Sequence, residues 1–287
     1  MTIRNPIEWT AGAVGLTHPP GAAAARDPRA RELLRTVDPP AIRKISLGDL
    51  RDAIAKGYED FGDNRTDVVF LCLFYPIVGL VLARLASGYD FLPLVFPLAS
   101  GFALLGPLAG VGLYEMSRRR EQGLPGGWSA AFGVARLPSF GSVIALGLLL
   151  FVIYAIWLLA AWGIYAVTLG PQPPVSISSF LHNVFATGRG WAMIIIGMAV
   201  GFIFAWVVLT ITAVSFPMLL DRNVGVGRAI ATSVKVVRLN PVPIAAWGLI
   251  VALGLLIGSI PLFVGLIVIL PVLGHATWHL YRKVVAA

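Results

Sequence analysis

Two histidines stand four residues apart near the end of the 287-residue chain, His275 and His279, in the string LPVLGHATWHLYR. On a helix that spacing puts both imidazoles on one face, one turn apart. One helix can then offer two nitrogen ligands to a metal ion, or one axial ligand and a neighbour to haem. A third ligand is available in Glu115. When Pro97–Arg118 is laid without a gap on Pro261–Arg282, Glu115 falls on His279. The same alignment pairs Pro97 with Pro261, Gly101 with Gly265, Pro107 with Pro271, Gly110 with Gly274 and Arg118 with Arg282. A His-x-x-x-His pair without the glutamate of HExxH carries little specificity. The haem or metal reading therefore stands beside a plainer one, in which His279 bonds water or lipid and His275 bonds a helix carbonyl.

Other residues invite other chemistry. Pro97, Pro107, Pro261 and Pro271 are candidate helix breaks, which in transporters expose backbone carbonyls to substrate; elsewhere in membranes prolines kink helices and let them pack. Arg118, Arg119, Arg120, Asp221 and Arg222 end two apolar stretches, and Arg228, Lys235 and Arg238 follow shortly after. These are candidate contacts for anionic lipid or a protein partner, or an ionic latch between two loops; the plainer reading is a charged stop at the membrane surface. The glycine-containing run at 223–227 lacks the Gly-Lys-Ser/Thr of a phosphate loop. No Ser-His-Asp set, paired-carboxylate site or HExxH motif occurs, so the chain is read as non-enzymatic.

The elements that must position these residues are apolar. The chain is 57% hydrophobic and 13% charged, with mean hydropathy +0.83, where a soluble domain carries about 25% charged residues. Residues 1–67 hold ten basic and ten acidic side chains, so the net +8 resides in 68–287. No nucleic-acid motif accompanies that excess, so nucleic acid is not an expected partner. Cys72 is the sole cysteine, which excludes an intramolecular disulfide. The first residues lack the apolar core of a signal peptide, so insertion is expected to use internal segments.

Residues 1–67 read as a cytoplasmic arm. The first 45 are Ala-, Pro- and Arg-rich and expected to be disordered. Then comes an amphipathic helix from Ser46, capped by Ser46 and Asp49, with Leu50, Ile54, Tyr58 and Phe61 on one face. Residues 68–287 read as a membrane domain of six spans: Val68–Ser87, Phe91–Met116, Phe140–Thr168, Trp191–Leu219, Val242–Gly258 and Pro261–Tyr281. With the N-terminus inside, ten Lys and Arg fall in inner loops and the C-tail, against Arg84 and Arg189 outside. The positive charges thus place both termini in the cytoplasm. The outer loop Leu169–Gly190 has the pattern of a short interfacial helix capped by Ser178 or Ser179. Tryptophans at 128, 157, 162, 191, 247 and 278 fall near span ends or within spans, as an interfacial belt requires.

The inner loops from Arg119 and Asp221 also align without a gap, Arg120 on Arg222 and Arg136 on Arg238. In the second, Ile230, Val234 and Val237 form an apolar face opposed by Arg228, Thr232, Lys235 and Arg238. This is a basic amphipathic elbow helix in the headgroup plane. The fold expected is thus all-α, with an internal pseudo-repeat of span, elbow and returning span.

Several strings carry a resemblance: FYPIVGLVLAR, FPLASGFALLGPLAGVGLYEMSRRRE, SFPMLLDRNVGVGRAI and LPVLGHATWHLYR. From about Ile45 to the C-terminus the chain resembles the predicted integral membrane proteins grouped as domain of unknown function 2189. The resemblance implies a multi-span protein of a bacterial inner membrane and implies no activity. The leading expectation is an accessory, assembly or scaffold subunit that binds anionic lipid and other membrane proteins. The alternatives are a small-molecule transporter built on broken repeat helices and a haem- or metal-carrying protein associated with respiration.

Overall fold

The computed structural model describes residues 40–63, 84, 92–125, 127, 131–261 and 264–286. The expected disordered arm through residue 39, the first stretch Val68–Ser87 apart from Arg84, Cys72 and Trp128 lie outside them. Every regular element among the described residues is helical, apart from an isolated antiparallel bridge between Ile42 and Val285.

The amphipathic helix forms as α1, Leu47–Asp63. Asp49 accepts from the Ser46 amide at 2.8 Å and from its hydroxyl at 2.9 Å, closing the N-terminus. Its buried face is Leu50, Ala53, Gly57, Asp60 and Phe61, whereas Tyr58 is exposed. The expected face is therefore rotated, and Gly57 gives the reason. A Cβ there would stand 2.6 Å from the Val272 carbonyl oxygen and 2.7 Å from the Ala276 amide nitrogen. The helix turns its smallest residue toward a neighbouring backbone, and Asp60 goes inward with it.

The second apolar stretch is not one helix. After a 3-10 turn at Leu92–Leu94 come α2, Val95–Leu104; α3, Gly106–Ala109; and α4, Val111–Glu121. The break at Leu105 places Pro107 in the first turn of α3, where a missing N–H costs nothing. Pro97 sits in the first turn of α2 and does not interrupt it. Its carbonyl accepts from Trp157 Nε1 at 2.9 Å.

α5 runs from Phe140 to Thr168. α6, Ile177–Ala186, is the short helix expected in the loop Leu169–Gly190, capped two or three residues earlier than expected, by Ser176 in a reciprocal box with Ser179. α7, Gly188–Thr212, and α8, Ser215–Asp221, follow with a break at 213–214. α9, Val226–Leu239, is the second elbow. α10, Pro241–Ser259, and α11, Leu266–Val284, complete the chain. Pro261 lies in the turn after α10, while Pro271 lies inside α11 without breaking it. The described part of the first elbow is only a 3-10 segment, Phe132–Arg136, so it does not match the helical second elbow. Pro125, Gly127 and Pro138 stand there, helix breakers of a kind that α9 lacks after Gly227.

Among the described residues three helices are long and apolar enough to cross a membrane: Phe140–Thr168, Gly188–Asp221 and Pro241–Ser259. α11 is not one of them. It carries polar residues on its buried face and two cations in its last turn. Fully buried side chains, Leu146, Phe216, Ile244, Trp278 and Tyr281 among them, gather where α1, α4, α8, α9, the first turns of α5 and α10 and the second half of α11 meet. Large apolar side chains are exposed along the rest of α5, α7 and α10, for example Leu159, Phe202 and Leu256. The unit Ile42–Ala287 thus joins a packed base to apolar helices, and α1 belongs to it.

Candidate functional site

The chemistry-bearing residues collect in that base. α4 and α11, the two segments that align in sequence, run side by side in the same direction: Leu113 lies against Gly274, Ser117 against His275, and Glu121 against Trp278 and Arg282. α1 lies along α11, antiparallel to it, with Asp49 at Lys283, and its last turns reach α4, where Phe61 packs with Leu113, Met116 and Val272.

Asp60 is the hub. Ser117 Oγ donates to Asp60 Oδ2 at 2.5 Å, His279 Nε2 lies 2.9 Å from the same oxygen, and Arg120 donates to Oδ1 and to Asp63. Burial by itself raises the carboxyl pKa, but the hydrogen bonds from His279, Ser117 and Arg120 outweigh it and hold the group down at about 2. Asp60 is therefore a buried anion, neutralised by Arg120.

His275 Nδ1 lies 2.7 Å from Ser117 Oγ. The serine's single proton goes to Asp60, so His275 donates to the hydroxyl from Nδ1 and its other nitrogen has no partner in hydrogen-bond geometry among the described residues. In a nucleophilic triad the histidine takes the serine proton and the aspartate orients the histidine. Here the serine proton is directed to the aspartate, and both Ser117 and His275 are shut off from solvent. The arrangement ties α1, α4 and α11 together.

The third ligand expected for a metal or haem is engaged elsewhere. Glu115 is buried and accepts from Arg118 at 2.7 and 3.0 Å and from Arg119 at 2.9 Å. Among the described residues no group of three or more His, Cys, Asp or Glu is placed to hold a metal ion. The two histidines share a helix face as expected, but what they face is Asp60 and Ser117.

The cations divide into two sets. Arg282 donates to Glu121 at 2.9 Å and lies 3.6 Å from Asp221, so it bridges the ends of α4 and α8. Arg222 lies 3.7 Å from Asp221 and donates to the Ala286 carbonyl, while the Tyr281 hydroxyl donates to Asp221 at 2.6 Å. Lys283 donates to Asp49 at 2.8 Å and Asp52 at 2.9 Å. That lysine and Ser46 hold the Asp49 carboxyl down at about 2. Asn240 adds neutral staples, accepting from the Ile45 amide at 2.8 Å and donating to the Arg43 carbonyl at 3.2 Å. By contrast Arg228, Lys235 and Arg238 have no carboxylate partner among the described residues. Their spacing of seven and three puts them on one face of α9, with Lys235 and Arg238 exposed and Arg228 half-buried. The opposite face, including Thr232 as well as Val237, is buried, and Ser233 pins it to α7 by donating to the Thr210 carbonyl at 2.7 Å.

Asp60, Ser117, Asn240 and Lys283 were not singled out in sequence. Asp60 had a signal, an acid in register with Leu50, Ala53 and Gly57 on the inward face of α1. Ser117 and Asn240 had none, because their roles depend on partners 57 to 197 residues away.

An all-helical base beneath long apolar helices defines an integral membrane protein. The comparison with known families agrees. Residues 95–221 match the family described as predicted integral membrane protein, domain of unknown function 2189, the family the residues themselves resemble. No curated protein and no solved structure matches the chain.

Proposed function

We propose that this is a non-enzymatic accessory or scaffold protein of a bacterial inner membrane, with both termini on the cytoplasmic side, that binds anionic phospholipid headgroups and holds other membrane proteins. One observation carries the reading. The inner cations of α4 and α11, with Arg222, are taken up by carboxylates within the base, whereas Arg228, Lys235 and Arg238 stand on an open face of α9 with none among the described residues. α9 follows α8 directly and leads into α10, so this face lies at the edge of the apolar belt, at headgroup depth. A basic face there also supports cytoplasmic termini.

The test is lipid retention. Each basic side chain near an anionic surface contributes about 1 kcal/mol, so three contribute about 3 kcal/mol, or roughly a hundredfold in affinity. Purified protein is expected to retain phosphatidylglycerol or cardiolipin over phosphatidylcholine in native mass spectrometry. The triple variant R228Q/K235Q/R238Q should lose that preference, while R51Q, an exposed cation on α1, should keep it. Equal retention by the triple variant refutes lipid recognition by α9. Cross-linking in native membranes that finds only the monomer refutes the scaffold role.

A further inference from the structure

The last two apolar stretches were expected to cross the bilayer. We infer that α10 and α11 instead form a re-entrant hairpin, whose tip stops inside the bilayer and is covered by the acyl chains of the leaflet on the basic side.

Height can be measured from a level shared by two neighbours. Leu113 of α4 and Gly274 of α11 touch, and the two helices run parallel there. From Leu113 back to Leu92 is 21 residues, about 30 Å if helical throughout, a full hydrocarbon core. That path ends at Pro93 and Leu94, which share a recess with Trp162, Tyr165 and Pro171 at the far end of α5. From Gly274 back to Gly265 is nine residues, about 14 Å, and there the chain turns. In the sequence alignment Gly265 answers Gly101, which lies inside α2; the second copy thus turns back where the first continues. The turn is tight because a Cβ on Gly265 would stand 2.9 Å from the Gly258 backbone, and one on Gly258 2.6 Å from Leu266.

Charge fixes the waterline independently. α1 lies along Val272–Lys283, and its outward face carries Arg51, Asp52, Lys56, Glu59 and Asp63, all exposed. Five such side chains on one helix cannot lie in hydrocarbon. The part of α11 level with α1 is therefore outside the hydrocarbon, leaving its first turns, the end of α10 and the connecting turn to enter. Those segments are apolar and open: Ile260 is 74% exposed and Val264 57%, with Leu256 and Ile257 beside them. Like the exposed apolar side chains of α5 and α7, these are large and apolar, so acyl chains are their natural covering.

Site-specific labelling in native membranes tests the inference. In a C72S background, single cysteines are introduced as S178C, K235C and I260C and treated with a membrane-impermeant maleimide in sealed vesicles of each orientation. S178C should label from one side, K235C from the other, and I260C from neither until detergent is added. Labelling of I260C from the S178C side means that the hairpin crosses, and labelling from the K235C side means that it is not inserted; either result overturns the inference. S259C gives the same readout if I260C fails to accumulate, because the Ser259 hydroxyl bonds the Leu255 carbonyl of its own helix. Protection in membranes that persists in detergent micelles, with cross-linking between two I260C chains, would replace lipid by a second copy and also overturn it.

Discussion

Replacing Asp60 by Asn removes the charge at the hub and keeps its volume. The native carboxyl sits at about 2 against an ordinary 3.8, although burial pushes it up, because His279, Ser117 and Arg120 all favour the anion. A fall of that size corresponds to about 2.5 kcal/mol of preferential stabilisation of the charged form. Asp60 has a side-chain exposure of only 3%, so little of this is screened by water. Because the folded pKa is depressed, the contribution is present in full above about pH 4 and is lost as pH falls through about 2. D60N should therefore be destabilised by about 2–3 kcal/mol at neutral pH, which for a chain of this size is roughly 5–10 °C. The two proteins should converge only below about pH 2. Loss of near-ultraviolet ellipticity on heating in detergent, at one fixed scan rate, reads the difference through the buried Trp247 and Trp278. D63N is the control, since Asp63 pairs with the same Arg120 but is 61% exposed and should cost less than about 1 kcal/mol. A D60N protein within 1–2 °C of wild type at neutral pH, or a D63N protein damaged as much, refutes the claim that a buried anion holds α1 to α4 and α11.

Two further outcomes follow from local geometry. G57V drives a branched side chain into the backbone of α11 at Val272 and Ala276 and should cost more than about 2 kcal/mol, opening α1 to limited proteolysis. G62A, where an added Cβ meets open space, should leave cleavage unchanged or slow it. S176A removes the N-cap of α6 and its reciprocal bond with Ser179; a loss of about 1 kcal/mol should appear as faster hydrogen exchange confined to Ile177–Ala186, and unchanged exchange there refutes the cap.

Much of the architecture was legible in one dimension because it is local. A helix satisfies its own backbone, so the apolar runs at 140–168, 188–221 and 241–259 could be read directly as candidate spans. α1 and α6 were legible from amphipathic spacing and capping residues, and α9 from its amphipathic spacing. The helical spacing of His275 and His279 was legible too, but their environment was not. A metal site and a structural ion network use the same residue types, and only the packing of α1 brought Asp60 to the two imidazoles while Arg118 and Arg119 occupied Glu115. The sequence alone thus determined the membrane, the helices and the excess of cations. The tertiary structure decided which cations are neutralised, which face α1 buries and how closely α10 and α11 turn on each other. Those depend on pairings across more than fifty residues and on close approaches at Gly57, Gly258 and Gly265, which hydropathy and charge counts do not record.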